Sequence, residues 1–471
     1  MLNHFIWWLA GVASLLRLVQ CSVPIPAKVW NNVEYQKLID VKHAYINEAV
    51  ELTIENISEE PVDEYYFALQ ENVYDKVSLF AVKLADKNVF LNSSLYPGKS
   101  ELEDGRMVGY GLVKFPSAIG PNERVSISVR MSHNSFGTPH PSRISIAEEQ
   151  SLLLRTPRLP FSAYFTKKGN LKIIGSPRFS ELDQVDDSSL NGKEIEGGLS
   201  FGSWKDIEPF ETKSELNLVY AHNLPIIEAN RLKRDVWVSH WASTIQFEEY
   251  YEIINHSAEL DKGFSRLELM KDQHGMKLTH YCSVLEMNLP EQSTDHYYTD
   301  LVGKVSTSRV LGDHFYLKPR YPLFGGWKYN FTIGWTNKLS NFLHKQRTAQ
   351  DTYILSIPLL NGPTDTLYDK VALSIFLPEG AQVLAVDPPV PFIDIDVTNQ
   401  RSYFDLNTGH VKVTCNFKNL IDEIGKGQVL VKYRYDTNSL YKKPLSIALY
   451  IFVALMSFFL LKSFNLSVDK N

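Results

Sequence analysis

The chain has 471 residues, 44% apolar and 22% charged, with 48 Lys and Arg against 54 Asp and Glu for a formal net charge of −6. That balance excludes a largely disordered protein, a collagen and a polytopic membrane protein, and it offers no basic field for nucleic acid. Aromatic residues reach 12%, which favours pleated surfaces where rings pack, and three cysteines are too few for a disulfide scaffold or a cysteine-rich zinc domain.

Residues 1–21 (MLNHFIWWLAGVASLLRLVQC) hold an apolar run from Phe5 to Leu16. Val19 and Cys21 fit the −3 and −1 positions of a signal-peptidase site, and Pro24 and Pro26 follow at once. The segment reads as a cleaved signal peptide, although its only basic group before the run, besides the amino terminus, is His4. Cys21 leaves with it, and Cys282 and Cys415 remain.

Beyond residue 22 apolar and polar residues alternate repeatedly, as in Val50–Ile54, Val125–Met131, Phe331–Trp335 and Val411–Phe417. Period two marks half-buried strands of antiparallel sheets. The segments also recur in order. Residues 39–58 resemble 236–257, aligning His43 with His240; 123–131 pair with 327–335; 151–159 pair with 352–360, aligning Pro157 with Pro358; and 217–223 fall roughly opposite 429–435. The expected fold is mainly β: two tandem β-sandwich-like domains, 22–228 and 229–440, followed by one transmembrane helix. The polar stretch Glu181–Gly198 reads as an exposed loop within the first domain.

No His-Glu-x-x-His helix, Gly-x-Ser-x-Gly elbow, phosphate-binding glycine loop or Cys-x-x-Cys occurs. Asp295-His296, Asp313-His314, Glu248-Glu249 and Glu148-Glu149 are adjacent pairs. Neighbours on a strand point to opposite faces, so none is a ready catalytic dyad. His43, His240, Trp237 and Trp241 read as packing residues rather than metal ligands. Cys415 reads as a small buried residue, and an oxidising compartment permits a bridge to Cys282. Asn-x-Ser/Thr sequons stand at Asn56, Asn92, Asn255, Asn330 and Asn465. The first four are expected on the lumenal side and open to glycans, with Asn330 the best site because Phe331, Ile333 and Trp335 take the opposite face.

Leu445–Leu461 contains no charged residue and is bounded by Lys442, Lys443 and Lys462. We expect a transmembrane helix over 445–464, short enough for a thin bilayer, and a cytosolic tail, 465–471, in which Asn465 stays bare. At about 100° per residue, Ser446, Tyr450, Ala454 and Ser457 fall within roughly 80° of one another, opposite Phe452, Leu455 and Phe459. Small and hydroxyl-bearing residues on one face suit a partner helix.

The blocks RDVWVSHWASTIQFEEYYEIIN (234–255), KGFSRLELM (262–270), TDHYYTDLVGKVSTS (294–308) and PRYPLFGGWKYNFTIGWTNKLS (319–340) resemble the ribophorin I family, and the resemblance extends over essentially the whole chain. Members are large non-catalytic subunits of the oligosaccharyltransferase complex. The resemblance implies a single-pass type I protein of the endoplasmic reticulum membrane. The complex transfers a preassembled glycan from dolichol pyrophosphate to Asn of Asn-x-Ser/Thr in nascent chains. It implies no catalytic, metal-binding or cofactor-binding residue in this chain. The implied partners are the other subunits, including the polytopic catalytic one, and further out the translocation channel and nascent chains. The sequence ends just past the span, as in a short fungal form, and so gives no basis for ribosome docking through a long cytosolic extension. The alternative is a type I adhesion or cargo receptor with a β-sandwich ectodomain; such receptors usually carry a sorting or signalling tail. A metallo-aminopeptidase relationship lacks its zinc motif.

Overall fold

The computed structural model describes residues 25–183, 190–212, 215–272, 278–347, 349, 351–401 and 409–463. The signal-peptide segment and Asn465 lie outside these residues. The chain divides into two compact units. One holds residues up to Ile144 together with Glu148–Asn223; the other holds Ser145–Ala147 and everything from Leu224 onward. The main division, after Asn223, comes five residues before the 228/229 boundary read from the sequence.

The first unit is built on β1 (Trp30–Asp40), β2 (Ile46–Asn56), β3 (Val77–Leu84), β4 (Arg124–His133), β5 (Ser151–Pro157), β6 (Thr166–Ile174), β7 (Gly198–Ile207) and β8 (Glu215–Ala221). Its large sheet has eight strands in the order Lys193–Ile195, β7, β6, β1, β2, β4, β3, Val89–Phe90. Only β1 and β6 run parallel. Smaller sheets accompany it, one ordered Thr138–Pro139, β5, β8, Phe179–Glu181, another built on Val62–Gln70 and Met107–Ile119. The alternation is visible residue by residue in β2, where Ile46, Val50, Leu52 and Ile54 are buried and Glu51 is exposed. Val50, Leu52 and Ile54 join a core with Trp30, Tyr65, Tyr110 and Phe115. Burying each such side chain stabilises the fold by roughly 1.5–3 kcal/mol.

The second unit contains β9 (Ile227–Ser239), β10 (Thr244–Asn255), β11 (Thr294–Asp300), β12 (Lys328–Lys338), β13 (Thr352–Pro358), β14 (Thr366–Leu377), β15 (His410–Ile421) and β16 (Gln428–Arg434). Its large sheet runs Asp394–Gln400, β15, β14, β9, β10, β12, β11, Gly303–Lys304, and a four-stranded sheet runs Leu343–Lys345, β13, β16, Gln382–Asp387. Strand for strand this is the order of the first unit, with β9 in the place of β1, and β9 and β14 are again the parallel pair. The correspondence reaches local irregularities. The β1/β2 register shifts between Asn32 and Glu34, and the β9/β10 register shifts between Ala229 and Arg231, the same 197-residue offset that relates His43 to His240.

That offset also equates Lys37 with Arg234. Each faces a buried carboxylate on the next strand: Lys37 Nζ lies 2.8 Å from Glu48, and Arg234 Nη1 lies 3.1 Å from Glu249. The Tyr251 hydroxyl donates to Glu249 at 2.6 Å, and Arg234 also donates to Asn361.

The structure departs from the sequence reading at one loop and decides one pairing that the sequence left open. The stretch 181–198 is not loop throughout, since Lys193–Ile195 pairs with the start of β7. Cys282 and Cys415 are both buried free thiols rather than a bridge. Burial pushes the Cys282 thiol up to about 12 and the Cys415 thiol up to about 11.

β16 passes through Tyr435 and Asp436 into a helix, Thr437–Ser463. It is the one helix among the described residues long and apolar enough to cross a membrane.

Candidate glycan acceptors and the membrane-spanning face

The four sequons among the described residues split into two kinds. Asn56 ends β2 on its inner face, in line with Val50, Leu52 and Ile54, and is fully buried. Its Nδ2 donates to the carbonyls of Glu60 (3.0 Å) and Ile119 (2.9 Å). Its Oδ1 accepts from the Ser58 amide (2.9 Å) and the Ser58 hydroxyl (2.7 Å). Asn255 ends β10 in the same way: Nδ2 donates to His280 (3.1 Å) and Leu323 (2.9 Å), and Oδ1 accepts from the amides of Ser257 (3.0 Å) and Ile226 (3.2 Å). Both amides are clamps that join strand ends, and the hydroxyl residue two places on serves the clamp. A glycan on Nδ2 has no room there.

Asn92 is exposed at the head of the strand Asn92–Leu95. Asn330 is half-buried on β12, with Nδ2 donating to the Tyr250 hydroxyl at 3.3 Å; Phe331, Ile333 and Trp335 lie on the other face, each at most 1% exposed.

The acidic and histidine pairs go to separate structural partners. Glu248 accepts from the Tyr297 hydroxyl at 2.6 Å on the face opposite Glu249. His296 bonds Ser293 (2.9 Å), His314 pairs with Glu286 (2.8 Å), and Glu149 pairs with Arg178 (2.8 Å) at the surface. His43 stacks on Tyr45. His240 Nε2 lies 2.6 Å from the Tyr433 hydroxyl, and burial pulls the imidazole down to about 4. Trp237 stacks flat on Phe376, with ring centroids 3.8 Å apart. Trp241 departs from the packing role expected of it, being 65% exposed. Among the described residues no three or more His, Cys, Asp or Glu gather to hold a metal.

On the C-terminal helix, Tyr450, Ala454 and Ser457 are exposed and Ser446 is half-buried. The Ser446 hydroxyl donates to the Lys442 carbonyl and the Ser457 hydroxyl to the Val453 carbonyl, each at 2.8 Å. Both polar groups are thus satisfied within their own helix, which lowers the cost of facing hydrocarbon. At Ser446, Ala454 and Ser457 the stripe therefore offers small volume rather than free hydroxyl donors, a distinction the sequence did not carry.

The model of the family described as ribophorin I matches residues 30–462, spanning both β units and nearly all of the helix. The chain belongs to the ribophorin I family. It is 24% identical over 452 residues to dolichyl-diphosphooligosaccharide–protein glycosyltransferase subunit 1 of Caenorhabditis elegans, covering 94% of this chain and 74% of that one. The protein of the same name from Schizosaccharomyces pombe is 23% identical over 444 residues, covering 91% and 94%. Subunit 1A of Arabidopsis thaliana is 22% identical over 475 residues, covering 98% and 75%. The paired strand order is thus a property of a ribophorin I chain.

Proposed function

We propose that this chain is a non-catalytic subunit of an oligosaccharyltransferase complex of the endoplasmic reticulum. The complex moves a preassembled glycan from dolichol pyrophosphate to Asn of Asn-x-Ser/Thr, and this subunit scaffolds it and presents acceptor chains. The observation that carries the reading is the family match over residues 30–462, together with relatives named as subunits of that transferase. An accessory role is supported by the structural contacts of the candidate acidic and histidine side chains, such as Glu248 with Tyr297, His314 with Glu286 and Glu149 with Arg178.

In this reading residues 1–21 are a cleaved signal, the two β units are tandem lumenal sandwiches, the helix is the single span, and residues 465–471 are cytosolic. The face Ser446, Tyr450, Ala454 and Ser457 packs on a helix of another subunit. Asn92 and Asn330 carry the glycans. Purification of the tagged chain in mild detergent tests the reading. A heteromeric assembly that glycosylates an acceptor peptide from a lipid-linked donor is the expected result. Recovery of the chain alone, with transferase activity left in the unbound fraction, would overturn it.

A further inference from the structure

The two units share a strand order but differ at one hairpin. β1 turns into β2 through residues 41–45, where Ala44 and Tyr45 are buried. β9 turns into β10 through residues 240–243, where Trp241 is 65% exposed. With His43 and His240 equivalent, the next position is a buried Ala44 in the unit without the apolar helix and an exposed Trp241 in the unit that carries it. A solvent-facing indole is costly in water and favourable at a membrane–water boundary.

Trp241 stands at the rim of a groove of about 550 Å³ between the strand ends of the second unit and the first turns of the C-terminal helix. That volume suits a small amphiphile. One wall is a helix stripe of Leu440, Pro444, Ile447 and Ile451. At about 100° per residue these four lie within roughly 60° of one another, about a quarter-turn from the stripe through Ser446 and Ala454. The wall therefore belongs to a different helix face from the one assigned to a partner helix, and it runs directly into the charge-free segment Leu445–Leu461.

The other end of the groove is polar and aromatic, with Glu379, Tyr435 and the two imidazoles of His240 and His410. Both imidazoles are engaged inward, His240 with Tyr433 and His410 through Nδ1 with the Leu377 carbonyl at 3.0 Å. Tyr435 packs 4.8 Å from His240, and Glu379 lines the same groove. A carboxylate beside aromatic faces suits an ammonium group.

We propose that this groove holds one zwitterionic phospholipid of the leaflet that the helix enters. Its ammonium head group rests against Glu379, Trp241 and Tyr435, and one acyl chain runs along Leu440, Pro444, Ile447 and Ile451. The assignment rests on the helix being the membrane span.

The test uses the full chain in its complex, reconstituted in phosphatidylcholine nanodiscs doped with a photoreactive-acyl phosphatidylcholine. Crosslinks are expected to concentrate at least fivefold on the groove stripe relative to Leu455 and Phe459. Trp241→Ala, an exposed position, and Ala448→Trp, which fills the groove, should each lower that crosslinking at least threefold. Native mass spectrometry should show one retained phosphatidylcholine that Glu379→Gln loses and that phosphatidylglycerol does not replace. Lipid crosslinks spread evenly round the helix, or protein–protein crosslinks in place of lipid ones, would overturn the proposal; the latter would assign the groove to a partner helix. Alkaline carbonate extraction separates the premise. Release of the chain would sink the span and the lipid site together, whereas retention with even crosslinking would sink the lipid site alone.

Discussion

At the scale of single residues, Asn56 and Asn255 show how one motif can carry two meanings. A sequon specifies residue types, and only position on the strand decides whether the amide is available. That position was legible: at period two Asn56 shares the face of Val50, Leu52 and Ile54, whereas Asn330 opposes Phe331 and Ile333. Replacing Asn56 or Asn255 by Ala should leave buried carbonyls and amides unpaired and cost about 2–4 kcal/mol, read from denaturant midpoints. Asn92→Gln and Asn330→Gln should each remove one endoglycosidase-sensitive mass and change stability by no more than about 0.5 kcal/mol. Glycan found on Asn56 or Asn255 in the folded protein would refute the clamp. Glu48 gives the acid response of the first unit. Burial raises its carboxyl, but Lys37 and His133 outweigh it and bring the group from 4.5 down to about 2. A depressed folded value means the stabilisation is complete above about pH 4.5 and is lost as pH falls toward 2. The loss is on the order of 3 kcal/mol, and Glu48→Gln should flatten the stability profile across that window. A profile unchanged by the substitution would show that the pair is not coupled to folding.

At the scale of elements, alternation located the strands well and placed their registers less well. The sequence set residues 217–223 opposite 429–435, an offset of 212. Structurally Pro157 pairs with Glu215 and Pro358 with Gln428, so β8 and β16 correspond at an offset of 213. One residue is enough to invert every side chain; the structural register sets the buried Leu216, Leu218 and Tyr220 of β8 against the buried Val429, Val431 and Tyr433 of β16. Gly334 in β12 is a further point that pattern alone could not explain. A Cβ there would collide with the Tyr297 ring, whose hydroxyl holds Glu248. Gly334→Ala should cost about 1–3 kcal/mol of thermal stability. On the spanning helix, Ala454→Phe or Ser457→Phe should reduce co-purification with the complex, while Phe452→Leu and Phe459→Leu should not. Ser446→Ala and Ser457→Ala should assemble normally, because the hydroxyls bond their own helix. Equal recovery of every variant would move the association to the β units.

At the scale of the whole molecule, the repetition was visible in the sequence because strand segments recur in the same order at offsets near 200; the equivalent cations Lys37 and Arg234 were not, since their carboxylates differ in position, Glu249 standing where the first unit has Val50. Function was not legible from catalytic motifs, none of those sought occurring in the sequence; it came through long unusual blocks such as RDVWVSHWASTIQFEEYYEIIN. Purified residues 22–440 are expected to show no glycan transfer on their own. Turnover that scales with that fragment would overturn the accessory role.

The joint between β16 and the helix has a mechanical meaning. It is two residues long, and both are held: the Tyr435 amide donates to the Asp351 carbonyl and the Asp436 carbonyl accepts from the Ser439 amide, each at 2.9 Å. Such a link has no slack, because two residues reach about 7 Å at most. The charge-free stretch Leu445–Leu461 is about 26 Å long, so a thinner bilayer is met by greater tilt. Pro444 interrupts the helix's hydrogen bonding one residue before that stretch, so the tilt divides between a bend there and β16 with its sheet. For a helix that spans, bilayer thickness then becomes a setting for the bend at Pro444.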